Sequence, residues 1–216
     1  MKQCQKGTFF VFLSAVLYSI GGLLIKLIPW NGISINGARS VIALVVIGGY
    51  LVVTGRRIYL NRWVFFGAVA VLCTSLFFCI ATKLTTAANA IVLQFTAPVL
   101  VILISWFVLK KKPTKLDLIT CFAVFSGVIC FFLDSLSAGG TLGNCMALVS
   151  GLGYAGVFFL NKLLGDDSVL AVFWGTVFSV VIGIPYIINE EAFSLSIMGS
   201  LVMLGYSRQV WPFYAW

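Results

Sequence analysis

Apolar residues run through this chain in long unbroken blocks rather than in the narrow stripes of amphipathic helices. Blocks can be drawn at about 9–28, 35–54, 63–82, 87–109, 116–133, 142–161 and 169–188, with an eighth starting near Leu195. Each complete block holds about 18–23 residues, enough for roughly 30 Å of hydrocarbon at 1.5 Å per residue. The connections are short and leave no room for a soluble domain. The pattern predicts an all-α membrane protein with about 7 complete spans and a partial eighth. Lys2 and Lys6 precede the first block as in a signal peptide. The block is too long for one and no A-x-A-like site follows it, so it is read as an uncleaved helix.

Composition agrees. The chain is 61% hydrophobic and only 9% charged, with mean hydropathy +1.10, which makes the bilayer the solvent for most of it. The net charge of +8 would suggest nucleic acid in a soluble protein, but here its placement speaks of topology. If the blocks alternate, Lys2, Lys6, Arg56, Arg57, Arg62, Lys110, Lys111, Lys112, Lys115 and Lys162 fall on one side. Lys26, Arg39 and Lys83 fall near the other, with Asp134, Glu190 and Glu191. That asymmetry places the N-terminus in the cytoplasm, and the expected location is the cell membrane. The six cysteines (Cys4, Cys73, Cys79, Cys121, Cys130, Cys145) show no metal-ligand spacing, and there is no histidine. No metal and no cofactor are expected. The expected partners are a small-molecule substrate and the lipid bilayer, with a homodimer left open and no nucleic acid.

One segment returns. Aligning Gly7–Lys26 with Gly143–Lys162, 136 positions later, matches Gly7/Gly143, Ser14/Ser150, Tyr18/Tyr154, Leu24/Leu160 and Lys26/Lys162. Small residues are kept at Ala15/Gly151 and Ser19/Ala155. Apolar sequences reach this level of identity by chance, so the weight lies in the spacing. Five spans separate the starts of the two copies, and an odd number inverts the second copy in the bilayer, a plan used by secondary transporters. The expected units are 7–133, a first repeat of five spans, and 139–216, an incomplete second repeat of spans six to eight.

The stretch ATKLTTAANAIVLQFTAPVL resembles the drug/metabolite transporter superfamily, specifically its EamA-type members, with A-x-K-x-x-x-A-x-x-A followed by a mid-helix proline. The matching positions are Ala81, Lys83, Ala87, Ala90 and Pro98. NGARSVIA places Arg39 at the family's second-helix arginine, and GVICFFL is similar to the close of its first repeat. The resemblance covers roughly residues 7–205 and implies a five-plus-five inverted-repeat bundle that carries small metabolites or drugs, with export by alternating access. Two features depart from it. Lys110 and Lys111 stand where the family commonly has Gly-Glu, and the chain stops near its eighth span.

The candidate substrate-binding residues are Tyr18, Arg39, Gln94, Pro98, Tyr154 and Trp174. Ser14 and Tyr18, and Ser150 and Tyr154, lie one turn apart on repeat-related helices. Their small-residue rows read first as close helix packing, with the walls of a cavity as the alternative. Pro98 cannot donate to the Gln94 carbonyl, so a kink with a freed acceptor is expected near the midplane. Arg39 either snorkels to the interface or acts as an electrostatic selector at the mouth of a pathway. Lys26 and Lys162 are read as caps on their own helix ends. Trp174 faces either lipid or cavity. The blocks contain no interior Asp or Glu, so coupling through a buried carboxylate has no support. An enzyme is not expected, for lack of histidine, a buried acid pair or a G-x-S-x-G elbow. The rival reading is a non-transporting membrane protein or decayed gene fragment. A charged Arg208, Pro212 and the early end also predict a second repeat too short to cover the first, with Gln94 and Arg39 exposed to lipid and little or no transport from these 216 residues alone.

Overall fold

A computed structural model describes residues 21–94, 96–110, 114–135, 140–190 and 195–209. Among the described residues every regular element is helical. The first, α1, covers 21–27. Then come α2 (Gly32–Val53), α3 (Arg62–Leu84), α4 (Ala87–Gln94), α5 (Ala97–Leu109), α6 (Lys115–Ser135), α7 (Thr141–Leu164), a 3-10 turn (Gly165–Asp167), α8 (Ser168–Ile187) and α9 (Leu195–Gln209). Among the described residues, five segments are long and apolar enough to cross a membrane: α2, α3, α7, α8 and the α4–α5 pair over Ala87–Trp106. α6 carries an apolar stretch at Leu118–Gly127, and α9 has 15 residues. These two stand where the fifth and eighth blocks were drawn. Most of the first block, with Ser14, Ala15, Tyr18 and Ser19, lies outside the described residues, as do Lys111, Lys112, Pro212 and Trp216.

Helix ends follow local chemistry. The Asn31 and Asn61 side chains accept from the first backbone N–H groups of α2 and α3, at 3.2 and 2.6 Å, as asparagine does at N-caps. α2 stops at Gly55 with φ +62°. There Gly55 N–H donates to Val52 and Arg56 N–H to Leu51, both at 3.2 Å, the paired closure that a left-handed glycine permits. Within the fourth block, α4 ends at Gln94 and α5 begins at Ala97. Pro98 has no N–H for the Gln94 carbonyl. Thr96 closes the break instead, donating to the Leu93 carbonyl through its Oγ1 at 2.7 Å and its N–H at 3.2 Å.

Polarity is distributed inside out. Val45, Val52, Val53, Phe66, Leu116, Ile119, Phe122 and Val181 face outward, while Ser34, Asn36, Arg39, Ser40, Ser75, Thr82, Asn89, Gln94, Ser150, Thr176 and Ser179 are buried. A water-soluble protein has no reason to expose that much aliphatic and aromatic surface. In lipid it costs nothing, and polar groups must find one another inside. Small residues allow the close approach this needs. A Cβ on Gly37 of α2 would stand 2.6 Å from the Gly183 Cα of α8, and one on Gly153 of α7 would stand 2.9 Å from the Thr74 nitrogen of α3.

Successive long helices run in opposite directions. At the basic end, with Arg56, Arg57, Arg62, Lys110 and Lys115, the 54–61 connection meets α8 where the Trp174 indole N–H donates to the Tyr59 carbonyl at 3.2 Å. Tyr50, Tyr59, Trp63 and Trp106 are exposed toward this end, as aromatic residues are at a membrane interface. At the opposite end, Lys26 Nζ donates to the carbonyls of Thr82, Lys83 and Thr85 at 3.3, 3.4 and 2.8 Å, and Lys83 Nζ donates to Ile28. Lys26 therefore caps the C-terminus of α3 rather than its own helix. The two lysines exchange roles because each side chain reaches the neighbour's orphan carbonyls. Glu190 completes this end by accepting from Asn31 N–H at 2.9 Å and Ser34 Oγ at 2.8 Å, a carboxylate at the positive end of α2.

Candidate functional site

A buried polar seam crosses the bundle through α2, α3, α7 and α4. On α2, Asn36, Arg39 and Ser40 occupy positions i, i+3 and i+4 and share one face. Arg39 Nη2 donates to Asn36 Oδ1 at 2.8 Å and to the Ser75 carbonyl at 3.1 Å, and contacts Ser75 Oγ closely. Ser75 Oγ donates in turn to Asn36 Oδ1 at 2.6 Å. One residue away on α3, the Thr74 carbonyl accepts from Ser150 Oγ of α7 at 2.9 Å. Ser150 Oγ itself accepts from Gln94 Nε2 of α4 at 2.9 Å. Gly151 lets α7 close on the α4–α5 break, where an added Cβ would lie 3.2 Å from Thr96 Oγ1 and 3.4 Å from the Gln94 carbonyl oxygen.

These groups share a depth. Arg39 is seven residues past Gly32, Gln94 seven past Ala87, Ser150 nine past Thr141 and Ser75 nine before Leu84. At 1.5 Å per residue all sit about 10–14 Å below the helix ends, close to the middle of a hydrocarbon layer of roughly 30 Å. Membrane interiors tolerate ionisable and polar groups only where they are paired, hydrated or in use.

Placement of the sequence candidates divides them. Arg39 is 2% exposed and Gln94 3%, which corrects two expectations. Arg39 does not snorkel to an interface, because α3 meets its head group and Gly205 of α9 packs on its backbone, with an added Cβ 2.9 Å from the Arg39 carbonyl oxygen. Neither residue is left facing lipid, because α9 and α7 cover them within the described chain. Tyr154 lies one turn from Ser150, half-buried, its ring edge-on to Phe158 with centroids 4.8 Å apart. Pro98 turns its ring outward. Trp174 is away from the seam, half-buried beside Phe173 and Phe178 and tied to the 54–61 connection. Tyr18 lies outside the described residues. Asn36, Ser40, Thr74 and Ser75 were not singled out in the sequence. The i, i+3, i+4 spacing around Arg39 was the available signal for the first two.

A second polar cluster sits where α3 gives way to α4. Asn89 Nδ2 donates to Thr85 Oγ1 at 3.2 Å, which donates to Asn144 Oδ1 at 3.3 Å. Among the described residues no three His, Cys, Asp or Glu side chains gather where they could hold a metal ion.

Outward apolar faces, buried polar seam and alternating spans define a multi-pass helical membrane protein. The EamA-like transporter family model matches residues 5–133, more than half of the chain, and the protein belongs to that family, which is one of transporters and not an enzyme class. Mouse solute carrier family 35 member G1 is 28% identical over 132 residues, 57% of this chain and 35% of that protein. The human protein of the same name is 24% identical over 227 aligned positions, 94% of this chain and 59% of its own length. The chain thus spans less than two thirds of the curated relatives it matches.

Proposed function

We propose that this chain carries small metabolites or drugs across the cell membrane, outward, by alternating access between two inverted repeats, 7–133 and 139–216. Its N-terminus and basic loops lie in the cytoplasm. The polar seam is the solute pathway, with Arg39, Gln94 and Ser150 at its centre and Tyr154 on its wall. Tyr18 is the repeat-related counterpart of Tyr154. Pro98 acts by breaking the helix that presents Gln94, and Trp174 borders the basic mouth. The lipid bilayer is the one environment this fold requires. Nucleic acid has no place in the reading, and pairing of two copies is open to the outward faces.

The observation that carries the proposal is that close helix contacts fall at or near positions paired by the 136-residue shift of the sequence repeat. That shift pairs residue 37 with 173, and 47 with 183. Gly37 meets Gly183 at the α2–α8 crossing, and Ile47 and Phe173 belong to one apolar cluster. It likewise pairs 39 with 175, and 69 with 205. Gly205 of α9 packs on the Arg39 carbonyl of α2, and Gly175 of α8 packs on the carbonyl of Ala68, one residue before the partner the shift assigns, with added Cβ atoms at 2.9 and 2.8 Å. An inverted repeat about an axis in the membrane plane would bring such pairs together, and transporter sites lie at such interfaces.

The test is exchange by purified protein in liposomes loaded with a labelled mixture of amino acids, nucleosides, sugars and cationic dyes. Saturable, protein-dependent efflux of at least one class, reduced in Gln94→Leu, supports the proposal. No efflux of any class overturns it in favour of a non-transporting membrane protein.

A further inference from the structure

We propose that Asp167 and Glu190, the acids bordering α8, are opposed latches that close the two mouths of the solute pathway. The inference rests on the seam being that pathway and adds the residues that gate it. Asp167 immediately precedes α8, and Glu190 stands three residues beyond its last residue, Ile187. The 20 residues of α8 span about 30 Å at 1.5 Å each, which puts the two acids at opposite faces of the membrane. Each reaches from the 139–216 unit to the 7–133 unit.

Both acids serve the other unit rather than their own helix. Asp167 is the N-cap residue of α8, where aspartate ordinarily accepts from the backbone of the helix it starts. It makes no such bond and accepts instead from the Tyr59 phenol of the 54–61 connection. The Trp174 indole, two turns into α8, fastens the same tyrosine through its carbonyl at 3.2 Å. Glu190 is positioned by the turn that ends α8. There its N–H donates to the Ile187 carbonyl, and Asn189 Nδ2 donates to the Pro185 carbonyl, both at 3.1 Å. From that turn its Oε1 accepts from Asn31 N–H at 2.9 Å and Ser34 Oγ at 2.8 Å, at the start of α2.

Their location makes these contacts latches rather than fixed struts. The 52–63 stretch is exposed and Glu190 is half-buried, so water takes the place of the protein partners when a mouth opens. Between the ends, Thr176 and Ser179 donate within α8, to the carbonyls of Val172 at 2.7 Å and Gly175 at 3.0 Å. There α8 meets the other unit on glycine, Gly175 against Ala68 and Gly183 against Gly37. Close backbone packing of that kind permits the small sliding by which packed helices shear. A helix packed on glycine along its length and fastened by an acid at each end can release one end while the other holds. Alternating access asks that of it.

Ser40→Cys supplies a reporter in the seam, since among the described residues the Ser40 hydroxyl has no hydrogen-bond partner to lose. The full chain, in membrane vesicles of each orientation, is treated with a membrane-impermeant methanethiosulfonate. Modification at position 40 is read by mass spectrometry. Glu190→Ala should speed modification from the face opposite the basic loops by about fivefold or more, the scale for lost hydrogen bonds to a charged group partly replaced by water. From the basic face it should be no faster. Tyr59→Phe, which deletes the phenol that Asp167 accepts from, should do the reverse. Glu190→Gln keeps an acceptor oxygen and should restore most of the wild-type pattern. Should Glu190→Ala fail to fold, Ser34→Ala removes the other side of the same latch and should act in the same direction.

Equal acceleration from both faces, which general loosening would give, or no acceleration in folded variants would overturn the proposal. The liposome assay judges the transport reading separately. Sided modification without exchange of any solute would sustain the latches and defeat transport, and exchange with unsided modification would do the reverse.

Discussion

Ser150→Ala removes one oxygen from the centre of the seam. Ser150 is fully buried and its hydroxyl holds two contacts at 2.9 Å, from Gln94 Nε2 and to the Thr74 carbonyl. Interhelical hydrogen bonds in membranes average about 0.6 kcal/mol, so two set a floor of about 1.2 kcal/mol. Gln94 is itself buried, and a buried amide that loses an acceptor costs about 1–3 kcal/mol. The Thr74 carbonyl loses only a second partner, since its place in α3 supplies the helical one. The expected destabilisation is therefore about 2 kcal/mol, roughly a thirtyfold shift in the unfolding equilibrium. Reversible unfolding in mixed micelles with increasing SDS measures it. A cycle with Gln94→Leu should show the double variant less destabilised than the sum of the singles by about 1 kcal/mol. A cost below about 0.5 kcal/mol, or strict additivity, would mean that Gln94 and Ser150 do not share a bond in the membrane.

Five further outcomes are expected. Gly37→Leu should cost about 3 kcal/mol or prevent folding, since its Cβ would stand 2.6 Å from the Gly183 backbone and overpacking against main chain cannot relax. Gly48→Ala, with nothing within 4 Å, should be neutral or stabilising by about 0.5–1 kcal/mol in the same melting assay. In the full chain, cysteine at Asn61 should be labelled only from the cytoplasmic side and cysteine at Ser137 only from outside; labelling of Asn61 from outside would reverse the proposed topology. Lys26→Met should lower stability by about 0.3–1 kcal/mol through loss of the α3 carbonyl contacts, with Lys26→Arg retaining most of it. Hydrogen bonding to Asp167 raises the Tyr59 phenol above its ordinary 10.0. The folded form therefore holds this proton more tightly, so the contribution is fully present below pH 10 and is lost as pH rises through the raised value. Ultraviolet titration should show Tyr59 ionising later in wild type than in Asp167→Asn.

How much of this was legible in the chain depends on what each feature needs. Block lengths alone locate the long helices, because the bilayer demands about twenty apolar residues whatever the packing. Their ends are less visible. The second block was drawn from residue 35, yet α2 begins at Gly32, because Gly32, Ser34 and Asn36 lower hydropathy while being buried against other helices. Pro98 announces a break, but not which way its ring turns, since that depends on the rotation of α5 about its axis. Arg39, Gln94 and Ser150 stand out as polar letters at mid-span. Their partners Asn36, Thr74 and Ser75 do not, because which face of α3 meets α2 and which meets α7 is decided by packing across the bundle. The exchanged lysine caps have the same origin. A cation near a helix end is plain in the sequence, but the end it serves is a matter of neighbours.

Packing and pathway were set against each other as readings of the Ser150, Gly151 and Ala155 row; the structure shows close packing there, and the pathway is the proposed reading. Gly151 brings the α7 backbone onto the α4–α5 break, and that closeness puts Ser150 within reach of Gln94 and Thr74. The bonds also differ by location in a way that suits the proposed alternation. Arg39, Asn36 and Ser75 all belong to the 7–133 unit, so their charge-assisted contacts, the stronger kind, can travel with it as a rigid body. The contacts of Ser150 cross from the 139–216 unit to α3 and α4, and these are neutral bonds, worth about 0.6 kcal/mol each in lipid. Rocking one unit against the other must break the crossing bonds and spare the internal ones. Parting the units in the proposed alternation therefore breaks the neutral Ser150 contacts of the seam and, at the membrane end, the contacts of the Glu190 carboxylate with Asn31 and Ser34.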